Sequence, residues 1–178
     1  KYKKVDFSPN ISISFSNTKN KSLTISDNGI GMDKEDLIES LGTIARSGTR
    51  KFIEKLTGDS KKDSNLIGQF GVGFYSCFMV ADKVEVLTKK VLDTKAYMWK
   101  SDGQSGFTIT ETEKETSGTE IKLYLNENGN EYTNKWSIES VIKKYSDHIA
   151  FPIELHYTEE KDKKIENKVE QVNSASAF

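Results

Sequence analysis

Apolar and polar residues alternate strictly near the start of the chain. Ile11, Ile13 and Phe15 are separated by serines, and Leu23 and Ile25 continue the alternation after a short polar stretch. A period of two places the apolar side chains on one face of a β-strand. The two runs therefore predict a β-hairpin that ends at Asp27.

Five later segments show the same alternation. They are Val84–Thr88, Ala96–Trp99, Phe107–Thr110, Thr119–Leu125 and Ile153–Tyr157. Short, hairpin-like connections between several of these strands favour an antiparallel sheet with one covered face.

Helical spacing appears between the strands. Asp33 is predicted as an N-cap, and Thr49 is predicted to cap a second helix. The apolar residues that follow these caps are Leu37, Ile38, Leu41, Ile44 and Ala45 after the first, and Phe52, Ile53 and Leu56 after the second.

Two further helices are predicted downstream. Residues 72–80 are apolar nearly all round, which indicates a buried helix. An amphipathic helix carries Trp136, Ile138, Val141, Ile142, Tyr145 and Ile149. Strands and helices segregated in this way predict an α+β fold, a two-layer sandwich.

Composition narrows the functional class. The 178 residues carry 26 basic and 27 acidic side chains, a net charge of -1. This balance gives no general attraction to nucleic acid or to an anionic membrane. No apolar run approaches the ~18 residues that span a bilayer. We therefore expect a cytoplasmic domain with neither nucleic acid nor membrane as partner.

Cysteine and histidine usage excludes two kinds of stabilisation. Cys77 is the single cysteine, so an internal disulfide is impossible, and the only histidines are His148 and His156. A zinc site of the usual Cys/His kind is therefore also excluded. No metal-ligating residue is predicted in the chain.

The segment Asp27–Met32 (DNGIGM) lies between a predicted strand and a predicted helix. One interpretation is an ordinary Asn-Gly turn. The other is a carboxylate at a strand end, with Gly29 and Gly31 letting the backbone pack against a flat ligand. A carboxylate only accepts hydrogen bonds, so its natural partner is an amino group.

Two further glycine-containing segments carry possible chemistry. Gly68–Phe74 (GQFGVGF) opens a predicted helix, whose free N–H groups suit a phosphate, although close helix packing explains the glycines equally well. Ser117–Ile121 enters a strand and is either a simple turn or the source of a hydroxyl near the same ligand.

Between these motifs, the glycine-interrupted stretch from about Gly42 to Gly68 is expected to act as a lid, or is an ordinary loop-rich excursion.

Four runs of sequence together resemble the heat-shock protein 90 chaperone family in its bacterial (HtpG-type) form. They are SDNGIGM, LGTIARSGT, IGQFGVGFYS and KYSDHIAFPIEL, and the similarity covers nearly the whole chain. Gyrase B, MutL proteins and sensor histidine kinases share the glycine-containing motifs but are not expected to share the full sequences of these four runs. The resemblance implies the Bergerat (GHKL) ATP-binding fold, a mostly antiparallel sheet covered by helices, with ATP or ADP and Mg²⁺ as ligands.

By match of motif, the resemblance also implies roles at the adenine end of the nucleotide. Asp27 would accept a hydrogen bond from the adenine amino group, helped by Thr119 and Gly31 through water. Met32 and Leu41 would line the adenine pocket.

At the phosphate end, the resemblance implies backbone contacts from Gly71, Val72 and Phe74. Arg46 would lie near the phosphates from the lid, at a position where the family usually carries lysine.

The sequence also departs from the family at the residues that carry catalysis. The family's first strand and helix carry a glutamate that orients the attacking water and, four residues later, an asparagine that holds Mg²⁺. No glutamate of this chain has an asparagine four residues on. We therefore expect residues 1–165 to be an ATP-binding domain that lacks the first strand and helix, residues 166–178 to begin the linker to a middle domain, and no catalytic residue to lie in the chain.

The resemblance implies the function of the complete protein. It is expected to be a homodimeric ATP hydrolase that assists the folding of client proteins through nucleotide-gated lid closure. The alternatives are another GHKL ATPase, of the gyrase B, MutL or histidine kinase type, and a fragment that binds nucleotide without hydrolysing it.

Overall fold

The computed structural model describes residues 8–42, 73–161 and 164–175. Within these ranges, eight strands form one sheet in the order β5-β4-β3-β6-β2-β1-β7-β8. The strands are β1 (Ile11–Ser16), β2 (Ser22–Asp27), β3 (Ala81–Lys89), β4 (Ala96–Ser101), β5 (Phe107–Thr112), β6 (Gly118–Leu125), β7 (Ile153–Lys161) and β8 (Lys164–Gln171). The helical elements are α1 (Lys34–Leu37), a π-helical turn (Ile38–Gly42), 3₁₀ helices at Gly73–Met79 and Glu127–Thr133, and α2 (Lys135–Tyr145).

Neighbouring strands are antiparallel except β1 and β7, which run parallel. The predicted first hairpin is confirmed, since Phe15 pairs with Leu23 and Ile11 pairs with Asp27. The parallel pair follows from the helical connection between β6 and β7, because parallel neighbours need a crossover rather than a tight turn. The predicted α+β sandwich with a mostly antiparallel sheet is confirmed.

The two faces of the sheet differ sharply in polarity. The inward face carries the buried core, and the outward face of the first hairpin carries the alternating serines and a threonine. Successive rows across β2, β6 and β3 place Leu23 beside Leu123 and Val84, and Ile25 beside Ile121 and Val86. This division is the structural outcome of the period-two pattern.

The predicted N-cap at Asp33 is confirmed. Asp33 Oδ1 accepts a hydrogen bond from the Asp36 N–H at 2.8 Å, and the Asp36 carboxylate accepts one from the Asp33 N–H at 3.0 Å. This reciprocal capping box satisfies two backbone donors that the first turn leaves unpaired. Ile44, Ala45 and the helix predicted after Thr49 lie outside the described residues.

The helix predicted as buried over residues 72–80 differs from expectation. The structure has a 3₁₀ helix over Gly73–Met79, in which Tyr75 is buried but Met79 is exposed. Phe74 packs edge-on against Trp99 with the ring centroids 5.6 Å apart. Phe74, Cys77 and Met79 also line a cavity. The helix is therefore covered on one side rather than all round.

The amphipathic helix is present as α2, with a narrower apolar stripe than predicted. Ile138 and Ile142 are buried against the core, but Trp136 is 76% exposed and Tyr145 is 59% exposed. Only one side of α2 faces the sheet, so apolar residues elsewhere on its circumference remain in contact with solvent. No helix in the described part of the chain is long and apolar enough to cross a membrane.

Strand β8 was not predicted from the sequence. Its residues alternate charges rather than apolar side chains, and Ile165 is 77% exposed, so the hydrophobic pattern gives no signal. The strand is held instead by its antiparallel ladder with β7. The predicted domain boundary between residues 165 and 166 falls within β8, and the division into domains stays a prediction.

A charge cluster occupies the polar face of β3, β4 and β6. The Glu85 carboxylate accepts hydrogen bonds from Lys83 at 2.8 Å, Lys100 at 3.1 Å and the Tyr124 hydroxyl at 3.0 Å. Partial burial raises the pKa of Glu85, but these three hydrogen bonds outweigh it and bring the pKa down to about 2. The ionised carboxylate therefore stabilises the sheet.

We expect Glu85→Gln to lower the free energy of unfolding at pH 7 by about 1 kcal/mol, since Lys83 and Lys100 are partly exposed and solvent screens them. A carboxylate whose pKa is lowered by folding contributes stability above its unfolded pKa and loses it as the pH falls. The difference between variant and unaltered protein should therefore shrink between pH 5 and pH 2. Urea unfolding across this range is the measurement.

Glu111→Gln is the matched control for that experiment. Glu111 pairs with Lys95 at 2.8 Å, but both side chains are more than half exposed. A change of a few tenths of a kcal/mol is expected there. An equal and pH-independent loss in both variants would contradict the role assigned to Glu85.

Candidate functional site

A short polar row ends the apolar face of the sheet. Asp27 on β2 pairs with Thr119 on β6, and Thr119 pairs with Thr88 on β3. These side chains lie one step beyond the apolar row that contains Ile25 and Ile121. The ladder therefore brings together three polar groups that are far apart in the sequence.

Two glycines let the backbone pack tightly around this row. A Cβ at Gly118, which has φ +114°, would lie 2.2 Å from the carbonyl oxygen of Asp27. A Cβ at Gly31, which has φ +64°, would lie 1.9 Å from the carbonyl oxygen of Lys89. Both positions combine a backbone conformation that favours glycine with a close approach that excludes any side chain.

The Asp27 carboxylate is exposed at the end of β2. Its Oδ1 accepts a hydrogen bond from the Gly29 N–H at 2.8 Å, which fixes the side chain in an Asx turn. Among the described residues, the other carboxylate oxygen has no hydrogen-bond partner, so it can accept one from a ligand.

Thr88 joins the Asp27 loop to β6. Its Oγ1 accepts a hydrogen bond from the Met32 N–H at 2.9 Å and lies 3.0 Å from Thr119 Oγ1. Thr88 is fully buried, so these contacts are shielded from water. Met32 is thereby attached to the same polar row.

An ion-pair cluster anchors helix α1 beside the loop. Lys90 Nζ lies 2.5 Å from Asp33 Oδ2 and 2.7 Å from Asp36 Oδ2. The hydrogen bonds that Lys90 donates to these two carboxylates raise the pKa of Lys90, and the bond from Lys90 lowers the pKa of Asp33. These ion pairs connect α1 to the end of β3.

An aromatic group lies farther along the same face. Phe74 packs edge-on against Trp99, and Trp99 stacks on Phe107 with centroids 6.1 Å apart. The Tyr75 hydroxyl donates a hydrogen bond to the Leu41 carbonyl oxygen. These contacts bind the π-helical turn and the 3₁₀ helix to β4 and β5.

A cavity of about 600 Å³ lies between the sheet and the helices. Ile25 and Ile121 contribute to its wall, and they also adjoin the polar row. An apolar cavity with a few fixed polar groups beside it is typical of a small-molecule site. The remaining wall is formed mainly by Ile13, Leu23, Leu123, Phe74, Cys77, Met79, Val80, Tyr132, Ile138, Val141 and Ile142.

The structure brings together four of the predicted site residues through ladders, close contacts and hydrogen bonds: Asp27, Gly31, Met32 and Thr119. Two more contact the aromatic group on the same side of the sheet. The Leu41 carbonyl oxygen accepts a hydrogen bond from the Tyr75 hydroxyl, and Phe74 packs against Trp99. The other three, Arg46, Gly71 and Val72, lie outside the described residues.

Sequence reasoning did not select Thr88 or Gly118 as site residues. The sequence contains one indication of Thr88. It follows Val84 and Val86 at the same alternating position of β3, but its side chain is polar. Gly118 was noticed only as part of a turn. Its close contact with Asp27 depends on strand pairing, which the sequence does not display.

The match to family models agrees with this geometry. Residues 7–126 match the family of histidine kinase-, DNA gyrase B-, and HSP90-like ATPases. The chain belongs to this family, whose nucleotide-binding fold is the α/β sandwich described above.

Individual relatives narrow the class to the chaperone branch. The chain is 56% identical to the chaperone protein HtpG of Wolinella succinogenes, over 99% of this chain and 28% of that protein. It is 53% identical to HtpG of Borreliella burgdorferi, over 100% of this chain and 29% of that protein. It is 56% identical to HtpG of Helicobacter pylori J99, over 100% of this chain and 30% of that protein. The predicted relationship to the heat-shock protein 90 family is confirmed, and the chain is an ATP-binding domain of that kind.

The chain spans less than a third of the length of these relatives. Its own role as an ATP-binding domain follows from the family match.

We expect Gly118→Ala to destabilise the domain by at least 2 kcal/mol, because a strained φ is combined with a collision against the Asp27 carbonyl. Gly106→Ala is the matched control, since Gly106 has φ +103° but nothing lies within 4 Å of its added Cβ. That control should cost only about 1 kcal/mol, the strain by itself. Chemical denaturation of both variants measures the difference, and equal losses would show that the close approach is unimportant.

Proposed function

We propose that the polar row binds the adenine of ATP or ADP. Asp27 accepts a hydrogen bond from the adenine amino group, and Thr119 and Gly31 assist through water. Met32 and Leu41 line the pocket. The observation that supports this most strongly is the register pairing of Asp27 with Thr119, which places a free carboxylate oxygen and a hydroxyl side by side, one step along the strands from the apolar pair Ile25 and Ile121.

We propose that the phosphates extend toward the 3₁₀ helix that begins at Gly73. Gly71, Val72 and Phe74 contribute backbone contacts, and Arg46 contributes charge from the lid segment. The placement of Phe74 against Trp99, on the same side of the sheet as the polar row, supports this direction.

The whole protein is proposed to be a cytoplasmic, homodimeric chaperone that hydrolyses ATP and acts on unfolded client proteins. The similarity to three HtpG chaperones supports the chaperone branch over gyrase B, MutL or histidine kinase types. The segment Gly42–Gly68 is proposed as a nucleotide-gated lid, and all but its first residue lies outside the described residues.

Mg²⁺ is proposed as the companion of the nucleotide, and none of the described residues is assigned to it. They contain no group of three or more His, Cys, Asp or Glu side chains arranged to hold an ion. The family's asparagine ligand has no counterpart four residues after a glutamate in this sequence. No catalytic step is therefore assigned through the metal here.

We expect Asp27→Asn, made in the full-length protein that carries this chain, to weaken ATP and ADP binding about tenfold to a hundredfold. Asparagine is nearly isosteric but removes the charge from the hydrogen bond to the adenine amino group. The loss should be equal for the two nucleotides, because the adenine is far from the γ-phosphate. Isothermal titration calorimetry with each nucleotide is the measurement.

Asp102→Asn provides the matched control. Asp102 directly follows β4, forms an Asx turn and accepts hydrogen bonds from the Gln104 and Ser105 N–H groups. It lies outside the proposed site, so nucleotide affinity should be unchanged there. If Asp27→Asn also left affinity unchanged in a folded protein, Asp27 would be only a turn residue.

We expect the 178-residue polypeptide by itself to show no ATPase activity above background. Hydrolysis needs a positioned water and a held metal, and the Glu-x-x-x-Asn pair that supplies both in the family is absent from this sequence. Phosphate release by the purified polypeptide is the measurement, with the full-length protein as positive control. Magnesium-dependent turnover that ADP inhibits would contradict this expectation.

A further inference from the structure

Strand β8 forms one of the two edges of the sheet. Among the described residues it pairs with β7 along one side only, and seven of its eight residues are exposed. The backbone groups on its other side therefore have no strand partner within the described part of the chain. Such an edge can pair with another strand unless its side chains prevent it.

The side chains of β8 alternate between charged and uncharged, and the two kinds lie on opposite faces of the strand. One face carries Lys164, Glu166, Lys168 and Glu170, and the other carries Ile165, Asn167, Val169 and Gln171. About Asn167 as the centre, each lysine has a glutamate at the mirrored position, and Ile165 has Val169. The segment 164–170 is therefore complementary to its own reversed copy.

This complementarity selects one register for two antiparallel copies. Backbone groups alternate between the two sides of a strand, so a register can slip only in steps that keep this alternation matched. With Asn167 opposite its own copy, Lys164 lies opposite Glu170 and Glu166 lies opposite Lys168. The next matched register on one side puts Glu166 against Glu166, and the next on the other side puts Lys168 against Lys168. Like charges directly opposite each other are destabilising.

The uncharged face gains apolar contact in the same register. Ile165 is 77% exposed and Val169 is 54% exposed, and each lies opposite the other across the centre. Cross-strand aliphatic pairs and opposite charges both stabilise strand pairing. The other edge strand, β5, lacks this pattern, because Glu111 is its only charged residue.

The charged residues of β8 already have partners within the domain, but they stay accessible. Glu166 pairs with Lys168 at 2.7 Å, and Glu170 pairs with Lys135 at 2.6 Å. The side chains of Glu166, Lys168 and Glu170 are between 39% and 46% exposed. A carboxylate offers about four lone-pair sites, so each glutamate can accept a further lysine.

We propose that β8 is a docking edge for β8 of a second copy of this chain, with a two-fold axis at Asn167. The two sheets join into one antiparallel sheet, and each contact on one side of the axis is repeated on the other. Seven paired residues make a small interface, so the association is transient. The inference does not rest on the nucleotide site, since β1 and β7 separate β8 from β2.

The two-fold axis allows a test with a single introduced cysteine in the full-length protein that carries this chain. Asn167→Cys places its thiol opposite itself, with the Cβ atoms about 4.5–5.5 Å apart, close to the separation that a disulfide needs. Thr110→Cys is the matched control, because Thr110 is exposed on the other edge strand. With oxidised glutathione, we expect linked pairs of chains to form about tenfold faster for Asn167→Cys than for the control. Non-reducing electrophoresis measures the rate.

Charge reversal in the Asn167→Cys background tests the register. Glu166→Lys and Lys168→Glu each place like charges opposite each other twice, so each should slow cross-linking about tenfold. An equal mixture of the two variants restores opposite charges between chains, and mixed pairs should cross-link at the original rate. The contact between residues 166 and 168 within each chain stays broken in the mixture, so recovery there reports the contact between chains. Glu111→Lys changes the net charge as Glu166→Lys does and should leave the rate unchanged.

A double variant guards against misfolding of the single ones. Glu166→Lys combined with Lys168→Glu keeps both the contact within the chain and the contact between chains, so it should cross-link at the original rate. If Asn167→Cys cross-linked no faster than Thr110→Cys, or if neither the mixture nor the double variant recovered, the inference would be overturned. The charges of β8 would then only keep the edge solvated. The solution mass of the full-length protein tests the proposed homodimer separately.

Discussion

The close approach of the Gly118 backbone to Asp27 is the constraint on which the site depends. With φ +114° and 2.2 Å from an added Cβ to the Asp27 carbonyl, only glycine allows β6 to begin beside the end of β2. This contact sets Asp27 and Thr119 level with each other. A second close approach, of Gly31 to Lys89, brings the following loop back over β3 and delivers the Met32 N–H to Thr88.

The polar row works because it terminates an otherwise apolar face. Thr88 and Thr119 are neutral and satisfy each other, so the row can adjoin the core without a charge being desolvated. Asp27, the one charged member, is exposed at the end of β2. Because this carboxylate and this hydroxyl are already fixed, the proposed binding of a base would need little rearrangement of the site.

Charged side chains secure the margins of the sheet. Lys90 ties α1 to the end of β3, and Lys135 ties α2 to the last hairpin through Glu170 at 2.6 Å and the Tyr157 hydroxyl at 2.9 Å. The hydrogen bond to Glu170 raises the pKa of Lys135. These clusters add charged contacts to the apolar contacts that Leu37 of α1 and Ile138 and Ile142 of α2 make with the core.

The sequence by itself determined the local features: seven of the eight strands, the first hairpin and its end at Asp27, the cap at Asp33, and the glycine motifs that indicate the family. Each arises from residues close together in the chain, where period, capping and turn chemistry act. Tertiary structure decided the rest. Strand β8 is held by a backbone ladder without a buried apolar face. Trp136 is exposed because α2 contacts the sheet on one side only. Thr88 contacts Thr119 because β3 pairs with β6. Pairing between distant strands depends on the packing of the whole face, which no local pattern records.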